Sequence, residues 1–454
     1  MESSFGVIGL GVMGAAYVRN LASRGVSVSA WSLQGSELDK MKAFGLNSLR
    51  LFSSLEEFVN SLTAPRKILM LITAGNPVDQ VIASLEGLLS PGDVLIDGGN
   101  EWYENTLRRF ARCKENGIHY CAMGVSGGEF GALLSPCLMF SGHPGDYDLV
   151  KPIIEQHDGR SFYIGPDASG HYVKMVHNGI EYAIMQILSE IYMIMRSIME
   201  LNVKSISKIF QEWNETEAAS FLLGITANIL PVKADDGEEY LLDKIMDSSG
   251  ANGTGKWTVK EALDLGIPVP TITAAVEMRN ASNGLRDTTL VPKNRVTDGT
   301  SLCEGDLKRT LLVCMIVSFA QGTALLMEAS KKFNWNLDLH NICKIWSSDA
   351  IISCSLLTDI GEAFLREEST VHLLKDPDMQ RMVQDSLESW TNVSRTCLKY
   401  NVAAPAIVAS LQYVQTMSSL QLGHNLIQAQ RDYFGSHCFT RVDLPGKHHH
   451  NWRE

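Results

Sequence analysis

The fold of this chain is decided by the segment FGVIGLGVMG at residues 5–14. An apolar run at Phe5–Leu10 predicts a strand, and residues 15–24 predict a helix directly after the glycines. In such a unit the first glycine makes a tight turn, the second lets the backbone approach a pyrophosphate, and the third lets helix and strand pack closely. A plain glycine turn is the alternative. We expect a dinucleotide cofactor at this helix N-terminus, contacted by Gly9, Gly11, Met13 and Gly14.

The first third of the chain continues the alternation of short apolar runs with amphipathic stretches. Such alternation is typical of a parallel α/β sheet. Residues 1–168 are therefore predicted to form a doubly wound domain of the Rossmann type. Its predicted strands are Phe5–Leu10, Val26–Trp31, Lys67–Thr73, Asp93–Asp97, Ile118–Val125 and Ser161–Gly165.

From Gly170 onward the chain changes to long segments rich in Leu, Ile, Met and Ala with helical spacing. The clearest are 172–200, 205–230, 306–333 and 405–430. We expect an α/β domain followed by a large all-helical domain, residues 169–425, which would hold substrate and form a dimer. Residues 426–454 are predicted to be an extended C-terminal tail.

Composition narrows the functional class. A net charge of -12 argues against broad electrostatic binding to nucleic acid, which needs a basic surface. The nine cysteines are scattered and never spaced CxxC, which disfavours a disulfide framework and a structural zinc site. We expect no metal and a reducing, cytoplasmic location.

Targeting and membrane signals are also weak in this sequence. The first predicted strand begins within five residues of Met1, which leaves no room for a signal peptide. We expect Tyr182–Met195 to be the longest apolar stretch, and because Gln186, Ser189 and Glu190 interrupt it, no membrane span is expected. Residues 250–256 match the phosphate-loop spacing GxxxxGK, but Trp257 follows and no strand precedes, which excludes a nucleoside triphosphatase.

The candidate catalytic residues lie in the segment GHYVKMVHNGIEY at 170–182. Lys174, His177, Asn178 and Glu181 are spaced i, i+3, i+4 and i+7, so they share one face of a helix that is otherwise apolar. A solvent-facing stripe is the alternative. Lys174 and Glu181 would be about 10 Å apart along the axis, enough for a small linear substrate. Burial favours a neutral lysine and a protonated carboxyl, which suits a base and an acid.

Two further turns follow predicted strands. Gly124–Gly128 offers unhindered amides that can bind a carboxylate, and Asp97–Asn100 has the same position after another strand. Each alone would be an ordinary tight turn.

Arg431 and His437 form a cation pair in the tail. The alternative is that both side chains are simply solvated on its surface.

The residue that reads the adenosine ribose normally follows the second strand, as an acid for NAD or with an arginine for NADP. Here Ser32-Leu33-Gln34 supplies neither, and Glu37 and Asp39 belong to the following loop or helix. The residues alone leave the choice between NAD and NADP open.

Seven segments, in order, resemble the 6-phosphogluconate dehydrogenase family over nearly the whole chain. They are GLGVMG (9–14), DGGN (97–100), GVSGGE (124–129), VKMVHNGIEY (173–182), ITANIL (225–230), GTGKW (253–257) and LIQAQRDYFGSH (426–437). The resemblance implies metal-free oxidative decarboxylation of 6-phosphogluconate to ribulose 5-phosphate with NADP.

The resemblance also implies residue roles. Lys174 would be the base at the 3-hydroxyl, and Glu181 the acid that protonates C1 of the enediol that remains after CO2 leaves. The sugar acid would be positioned by Asn100, Ser126, Gly127, Gly128, His177 and Asn178. The phosphate would be held by Tyr182, Thr254 and Arg279, joined by Arg431 and His437 from the partner's tail in a homodimer. We also assign Ser32, Thr73 and Asn100 to the cofactor.

Four positions depart from the family by losing a basic residue. Leu33 replaces the arginine that stacks on adenine and pairs with the 2′-phosphate, so NAD is possible beside NADP. Asn252 replaces a phosphate-binding lysine, and Leu133 and Ser347 replace arginines. These losses keep two alternatives open: a diverged paralogue that binds ligand with weak or no turnover, and a dehydrogenase of a related 3-hydroxy acid.

Overall fold

The computed structural model describes residues 2–155, 161–235, 237–284, 302–348, 350–366 and 372–453. The N-terminal part of the described chain forms an eight-stranded sheet. The strands are β1 (Phe5–Ile8), β2 (Val28–Trp31), β3 (Leu49–Phe52), β4 (Lys67–Met70), β5 (Val94–Asp97), β6 (His119–Ser126), β7 (Cys137–Ser141) and β8 (Ser161–Gly165).

The sheet has the strand order β3-β2-β1-β4-β5-β6-β7-β8. Strands β1 to β6 are parallel, as predicted. Strand β7 runs antiparallel to β6, and β8 is parallel to β7, so this end of the sheet differs from the prediction. The physical reason is the short β6–β7 connection, since a parallel crossover needs about a dozen residues or more.

The register brings four strand ends to one edge of the sheet. Ile8 pairs with both Trp31 and Met70, and Met70 pairs with Asp97. The carboxyl ends of β1, β2, β4 and β5 therefore lie side by side. The strand order reverses between β1 and β4, which is where open α/β sheets bind their ligands.

Seven helices cover the sheet in the described residues. They are α1 (Val12–Ser23), α2 (Gly35–Lys42), α3 (Leu55–Asn60), α4 (Asn76–Leu85), α5 (Tyr103–Glu115), α6 (Gly128–Leu134) and α7 (Pro144–Ile154). Separate hydrophobic clusters lie on the two faces of the sheet, one around Phe5 and Val7 and one around Ile8 and Ile68.

The described chain from Ser169 to Gly435 is mainly helical, as predicted. Its helices are α8 (Ser169–Ser197), α9 (Val203–Trp213), α10 (Phe221–Ile229), α11 (Leu241–Lys244), α12 (Thr254–Leu265), α13 (Pro270–Ser282), α14 (Glu304–Phe333), α15 (Leu339–Trp346), α16 (Leu356–Ala363), α17 (Pro377–Lys399), α18 (Pro405–Ser418) and α19 (His424–Gly435). The segment predicted at 205–230 is two helices, because the Ser220 hydroxyl caps a new helix at Leu223 N.

Helix α8 is the central element and is approached closely on several sides. A Cβ added at Gly124 of β6 would lie 2.5 Å from Lys174 Cβ. One added at Gly179 would lie 2.6 Å from Thr258 of α12, and one at Gly322 of α14 would lie 2.5 Å from Ile180. Glycine at these positions lets the sheet and two helices fix the position of α8.

Helix α14 shows that the expectation of Tyr182–Met195 as the longest apolar stretch was wrong. Within the described residues it alone has the length and composition of a membrane span, with a mean hydropathy of 1.9 over its most apolar window. That window is 89% buried inside the protein, so α14 has the surroundings of a core helix.

The C-terminal tail is more structured than the predicted extended segment. It begins with α19 and continues into an antiparallel pair, β9 (Phe439–Thr440) with β10 (Lys447–His448). The buried carboxylate of Asp432 accepts hydrogen bonds from Cys438 N at 2.9 Å, His449 Nδ1 at 2.9 Å and Trp452 Nε1 at 2.8 Å. These local bonds give the tail a fixed shape.

Candidate active site

The glycine turn after β1 has the geometry that its spacing predicts. Gly9 has φ +95°, and a Cβ there would lie 2.5 Å from Leu71 O. A Cβ at Gly14 would lie 2.0 Å from Gly9 O, whereas one at Gly11 would meet only Glu37 Oε1, at 3.9 Å. Two glycines are thus required for packing, and the space at Gly11, before the first turn of α1, fits a pyrophosphate.

The other residues predicted at the cofactor lie along the same edge of the sheet. Ser32 follows β2, Thr73 lies in the turn after β4, Asn100 follows β5, and Met13 is in the first turn of α1. The predicted strand Lys67–Thr73 ends at Met70, so Thr73 is an exposed turn residue.

A buried arginine, missed at the sequence level, ties two of these turns together. Arg109 is 0% exposed and donates to Asp79, Glu101 and Gly75 O, with Asp97 Oδ2 at 3.5 Å. The turns after β4 and β5 therefore share one cation. The sequence carries no local signal for this, because Asp79 is thirty residues from Arg109.

His171 connects the end of β5 and helix α5 to α8. Its Nε2 lies 2.9 Å from Asp97 O, and its Nδ1 lies 2.8 Å from Thr106 Oγ1. Because a carbonyl oxygen only accepts, Nε2 carries the proton and Nδ1 accepts from the threonine hydroxyl. Burial lowers the pKa of His171, which keeps the ring neutral. Its spacing, three residues before Lys174, could have identified it on the same helix face.

The four candidate catalytic residues meet on the buried face of α8. Lys174 Nζ lies 3.3 Å from His177 Nδ1, which lies 3.8 Å from Glu181 Oε2. His177 Nδ1 also lies 3.1 Å from Asn178 Oδ1. Lys174, His177 and Asn178 are buried and Glu181 is partly buried, so the prediction of one buried polar face is confirmed and the solvent-facing stripe is excluded.

Burial shifts the two ionisable ends of this face in opposite directions. It lowers the pKa of Lys174, partly offset by the negative charge of Glu181. It raises the pKa of Glu181, partly offset by Lys174 and Arg279. Burial and the charge of Lys174 hold the pKa of His177 well below its ordinary value. The site therefore favours a neutral amine, a neutral imidazole and a protonated carboxyl, as expected for a base and an acid.

The glycine turn after β6 closes the site from the sheet side. Ser126 Oγ lies 2.9 Å from His177 Nε2 and accepts a hydrogen bond from Ile351 N at 3.1 Å. Gly127 and Gly128, with φ +115° and +64°, follow and begin α6. Across the site, Asn178 Nδ2 donates to Asn100 Oδ1 at 3.4 Å. The turns after β5 and β6 thus both contact the polar face of α8.

A cationic corner lies one turn further along α8. The Arg279 guanidinium stacks on the Tyr182 ring at 3.4 Å from its centroid and donates to Gly250 O at 3.2 Å. A Cβ at Gly255 would lie 2.6 Å from Tyr182, so this ring also packs on the first turn of α12, which begins at Thr254. The predicted phosphate residues Tyr182, Thr254 and Arg279 are therefore together.

Arg431 and His437 are not brought to this corner within the chain. Both are exposed on the tail, where Arg431 Nη1 donates to Gln428 Oε1 at 3.0 Å and the His437 ring lies against Gly435 and Phe434.

The four positions at which this chain lacks the family's basic residue differ in exposure. Leu33 is 86% exposed, Asn252 and Ser347 are exposed, and Leu133 is partly buried. Among the described residues, no three His, Cys, Asp or Glu side chains are grouped so that they could hold a metal ion.

Two family models match consecutive parts of this chain. Residues 4–165 match the family model described as the NAD binding domain of 6-phosphogluconate dehydrogenase, and residues 170–452 match its C-terminal domain. Curated relatives include the decarboxylating 6-phosphogluconate dehydrogenase of Lactococcus lactis subsp. lactis, 40% identical over 99% of each chain. The enzyme of Bacillus subtilis, named as NADP(+)-dependent and decarboxylating, is also 40% identical over 99% of each chain.

A solved structure agrees over the full length. The 6-phosphogluconate dehydrogenase of Plasmodium falciparum, described in its apo form, with its cofactor NADP+ and with its substrate 6-phosphogluconate, has a TM-score of 0.91 and 40% identity. The match covers 99% of this chain and 100% of the Plasmodium chain. With both family models, the full-length relatives and the fold in agreement, this chain belongs to the decarboxylating 6-phosphogluconate dehydrogenase family of oxidoreductases.

Proposed function

We propose that this protein oxidises and decarboxylates 6-phosphogluconate to ribulose 5-phosphate and CO2, with NADP or, because Leu33 replaces an arginine, NAD as electron acceptor. The observation that carries the proposal is the pair Lys174 and Glu181, which share one buried helix face and have pKa values shifted in opposite directions. A site built only to bind a sugar phosphate has no need for that pair.

The side chains supply the proton transfers of this reaction. The neutral amine of Lys174 takes the proton of the 3-hydroxyl as C3 becomes a ketone. A bound nicotinamide would supply the acceptor for the hydride that leaves C3. The 3-keto acid loses C1 as CO2, and the protonated Lys174 returns its proton to the oxygen on C3, which leaves an enediol. Glu181 then gives its proton to the new terminal carbon while Lys174 takes back the hydroxyl proton and the ketone re-forms. Transfer of that proton from Lys174 to Glu181 restores both side chains, so the cycle balances without net release of a proton.

The remaining residues bind and orient the sugar acid. Ser126 and the backbone amides of Gly127 and Gly128 suit the carboxylate, which must be held until it leaves. His177, Asn178 and Asn100 offer neutral hydrogen-bonding groups to the hydroxyls. Tyr182, Thr254 and Arg279 suit the phosphate at the far end, with Arg279 as its charged partner.

We further propose a cytoplasmic homodimer in which the tail completes the partner's phosphate site. Arg431 and His437 are exposed, and apolar side chains are exposed beside them on the same segment: Leu426, Ile427, Tyr433, Phe434 and Val442. Such a surface is typical of a protein interface. Within this scheme residues 1–168 form the cofactor domain, 169–425 the helical domain, and 426–454 the exchanged tail.

The test of activity is the absorbance of reduced nicotinamide. The purified protein is mixed with 6-phosphogluconate and either NADP or NAD, with gluconate as the unphosphorylated control. We expect turnover with 6-phosphogluconate and much weaker turnover with gluconate. If 6-phosphogluconate and a dinucleotide both bind but neither NADP nor NAD is reduced, the proposal is contradicted and a ligand-binding paralogue is favoured.

The test of tail exchange is complementation between two inactive variants. Lys174→Met removes the base from one site, and Arg431→Ala removes a cation from the tail. In mixed dimers, one site would combine an intact Lys174 with an intact partner tail, so mixing should restore about a quarter of wild-type turnover. No recovery after subunit exchange, verified by mass, would show that each tail serves its own chain.

A further inference from the structure

The carboxyl end of β2 holds a carboxylate that the sequence pattern left unassigned. Glu37 lies in the first turn of α2, yet its Oε2 accepts a hydrogen bond from Ser32 Oγ at 2.5 Å. Ser32 is buried and directly follows β2, and its hydroxyl also accepts a hydrogen bond from Gln34 N at 3.1 Å. The carboxylate is therefore held at the strand end, although five residues lie between Glu37 and Trp31.

The same carboxylate faces the glycine turn after β1. Gly9 N donates to Trp31 O at 2.9 Å, so the ends of β1 and β2 are joined. Glu37 Oε1 is the nearest atom to the position of a Cβ on Gly11, at 3.9 Å. Gly11 is where the turn is open to a pyrophosphate. Glu37 thus lies next to the adenosine half of a dinucleotide bound at this turn.

A carboxylate in this place distinguishes the two dinucleotides by charge. It accepts hydrogen bonds from the ribose hydroxyls of NAD, and it repels the 2′-phosphate of NADP. The side chain that follows Ser32 does not offset this repulsion, because Leu33 is apolar and 86% exposed. On α2 the nearest lysines in sequence are Lys40 and Lys42, and Lys42 Nζ pairs with Asp39 at 3.1 Å.

We infer that Glu37, held by Ser32, makes the adenosine pocket selective for a dinucleotide with a free 2′-hydroxyl, so that NAD is preferred to NADP. This inference rests on the proposed function only for the presence of a dinucleotide. Glu37 acts on cofactor choice and has no part in the proton transfers at Lys174 and Glu181.

The test is direct binding, independent of turnover. Isothermal titration of the full protein with NAD, NADP, 5′-AMP and adenosine 2′,5′-bisphosphate separates the adenosine half from the nicotinamide half. We expect NAD to bind at least about tenfold more tightly than NADP, with the same order for the two adenosine fragments. Glu37→Gln should tighten NADP binding about tenfold and change NAD binding little.

Three further variants sharpen the result. Asp39→Asn removes the same charge from an exposed position on α2 and should leave both affinities unchanged. Leu33→Arg should strengthen NADP binding, most strongly when combined with Glu37→Gln. Lys40→Ala should change neither affinity.

Each outcome decides the inference. Tighter binding of NADP than of NAD by the wild type, or loss of NADP binding in Lys40→Ala, would overturn it and leave the proposed dehydrogenase reaction standing. An unchanged NADP affinity in Glu37→Gln would also overturn it. Failure of both dinucleotides to bind would overturn the inference and the proposed function together.

Discussion

At the scale of single residues, spacing on one helix was enough to predict the polar face of α8. Lys174, His177, Asn178 and Glu181 lie together because residues three and four apart share a helix face, a rule that needs no tertiary information. Arg109 and its three carboxylate neighbours could not be predicted in this way. Their contacts join turns far apart in the chain, and only the sheet register brings them together.

The role of Lys174 leads to a prediction at this scale. Lys174→Met keeps the aliphatic stem that packs against Gly124 and removes the amine, so turnover should fall by roughly 10²- to 10⁴-fold, the usual worth of a general base. Titration with 6-phosphogluconate should still give binding within about tenfold of wild type. Glu181→Gln is the matched variant at the acid. Near-normal turnover of Lys174→Met would mean that another group takes the 3-hydroxyl proton.

At the scale of elements, the presence of the helices was predicted better than the residues at which they end and the direction of the strands. Strands β3 and β7 were missed because each is short. Turn-forming residues do flank them, Asn47-Ser48 and Ser53-Ser54 around β3 and Pro136 and Gly142 around β7, and could have located both. Residues 405–430 were predicted as one segment, but α18 ends at Ser418 and Gly423, with φ +72°, precedes α19. The period of an apolar pattern survives such a break, so periodicity alone does not locate it.

The close packing of α8 leads to a prediction about glycine. Gly179→Ala puts a methyl group 2.6 Å from Thr258 Cγ2, which α8 or α12 must move to accept. Overpacking of this kind costs about 1–3 kcal/mol, so the melting temperature and turnover should both fall. Gly35→Ala is the control, because it lies in a helix with open space around it and should leave stability equal or slightly higher. Equal melting temperatures for the two variants would show that α8 is free to shift.

At the scale of the whole molecule, one buried acid joins α8 to the end of the helical region. Glu190 accepts hydrogen bonds from Ala406 N and Ile407 N, both at 2.9 Å, and so caps α18 from another helix. Burial raises its pKa to about 7, against the backbone donors that lower it. Sequence reasoning saw Glu190 only as an interruption of an apolar run, because its partners are more than two hundred residues away.

This group predicts a pH dependence of stability. A carboxyl with a raised pKa binds its proton more tightly in the folded state, so the free energy of unfolding should fall as pH rises from about 4.5 to about 7 and level off above that. The change from this group is of the order of 3 kcal/mol. Glu190→Gln should flatten that part of the denaturant-melt profile, whereas Glu388→Gln, on the surface of α17, should not. If the free energy of unfolding falls as steeply with pH in Glu190→Gln as in the wild type, the pH dependence comes from other groups.

The long core helix α14 has a consequence for synthesis of the chain. It packs against α8, which is made before it, and against α17 and α18, which are made after it. Roughly 85 residues separate its end at Phe333 from the end of α18 at Ser418, and at about 5–20 residues per second their translation lasts about 4–17 s. For that time the sides of α14 that later contact α17 and α18 stay uncovered, and apolar surface exposed in this way makes the unfinished chain prone to aggregate.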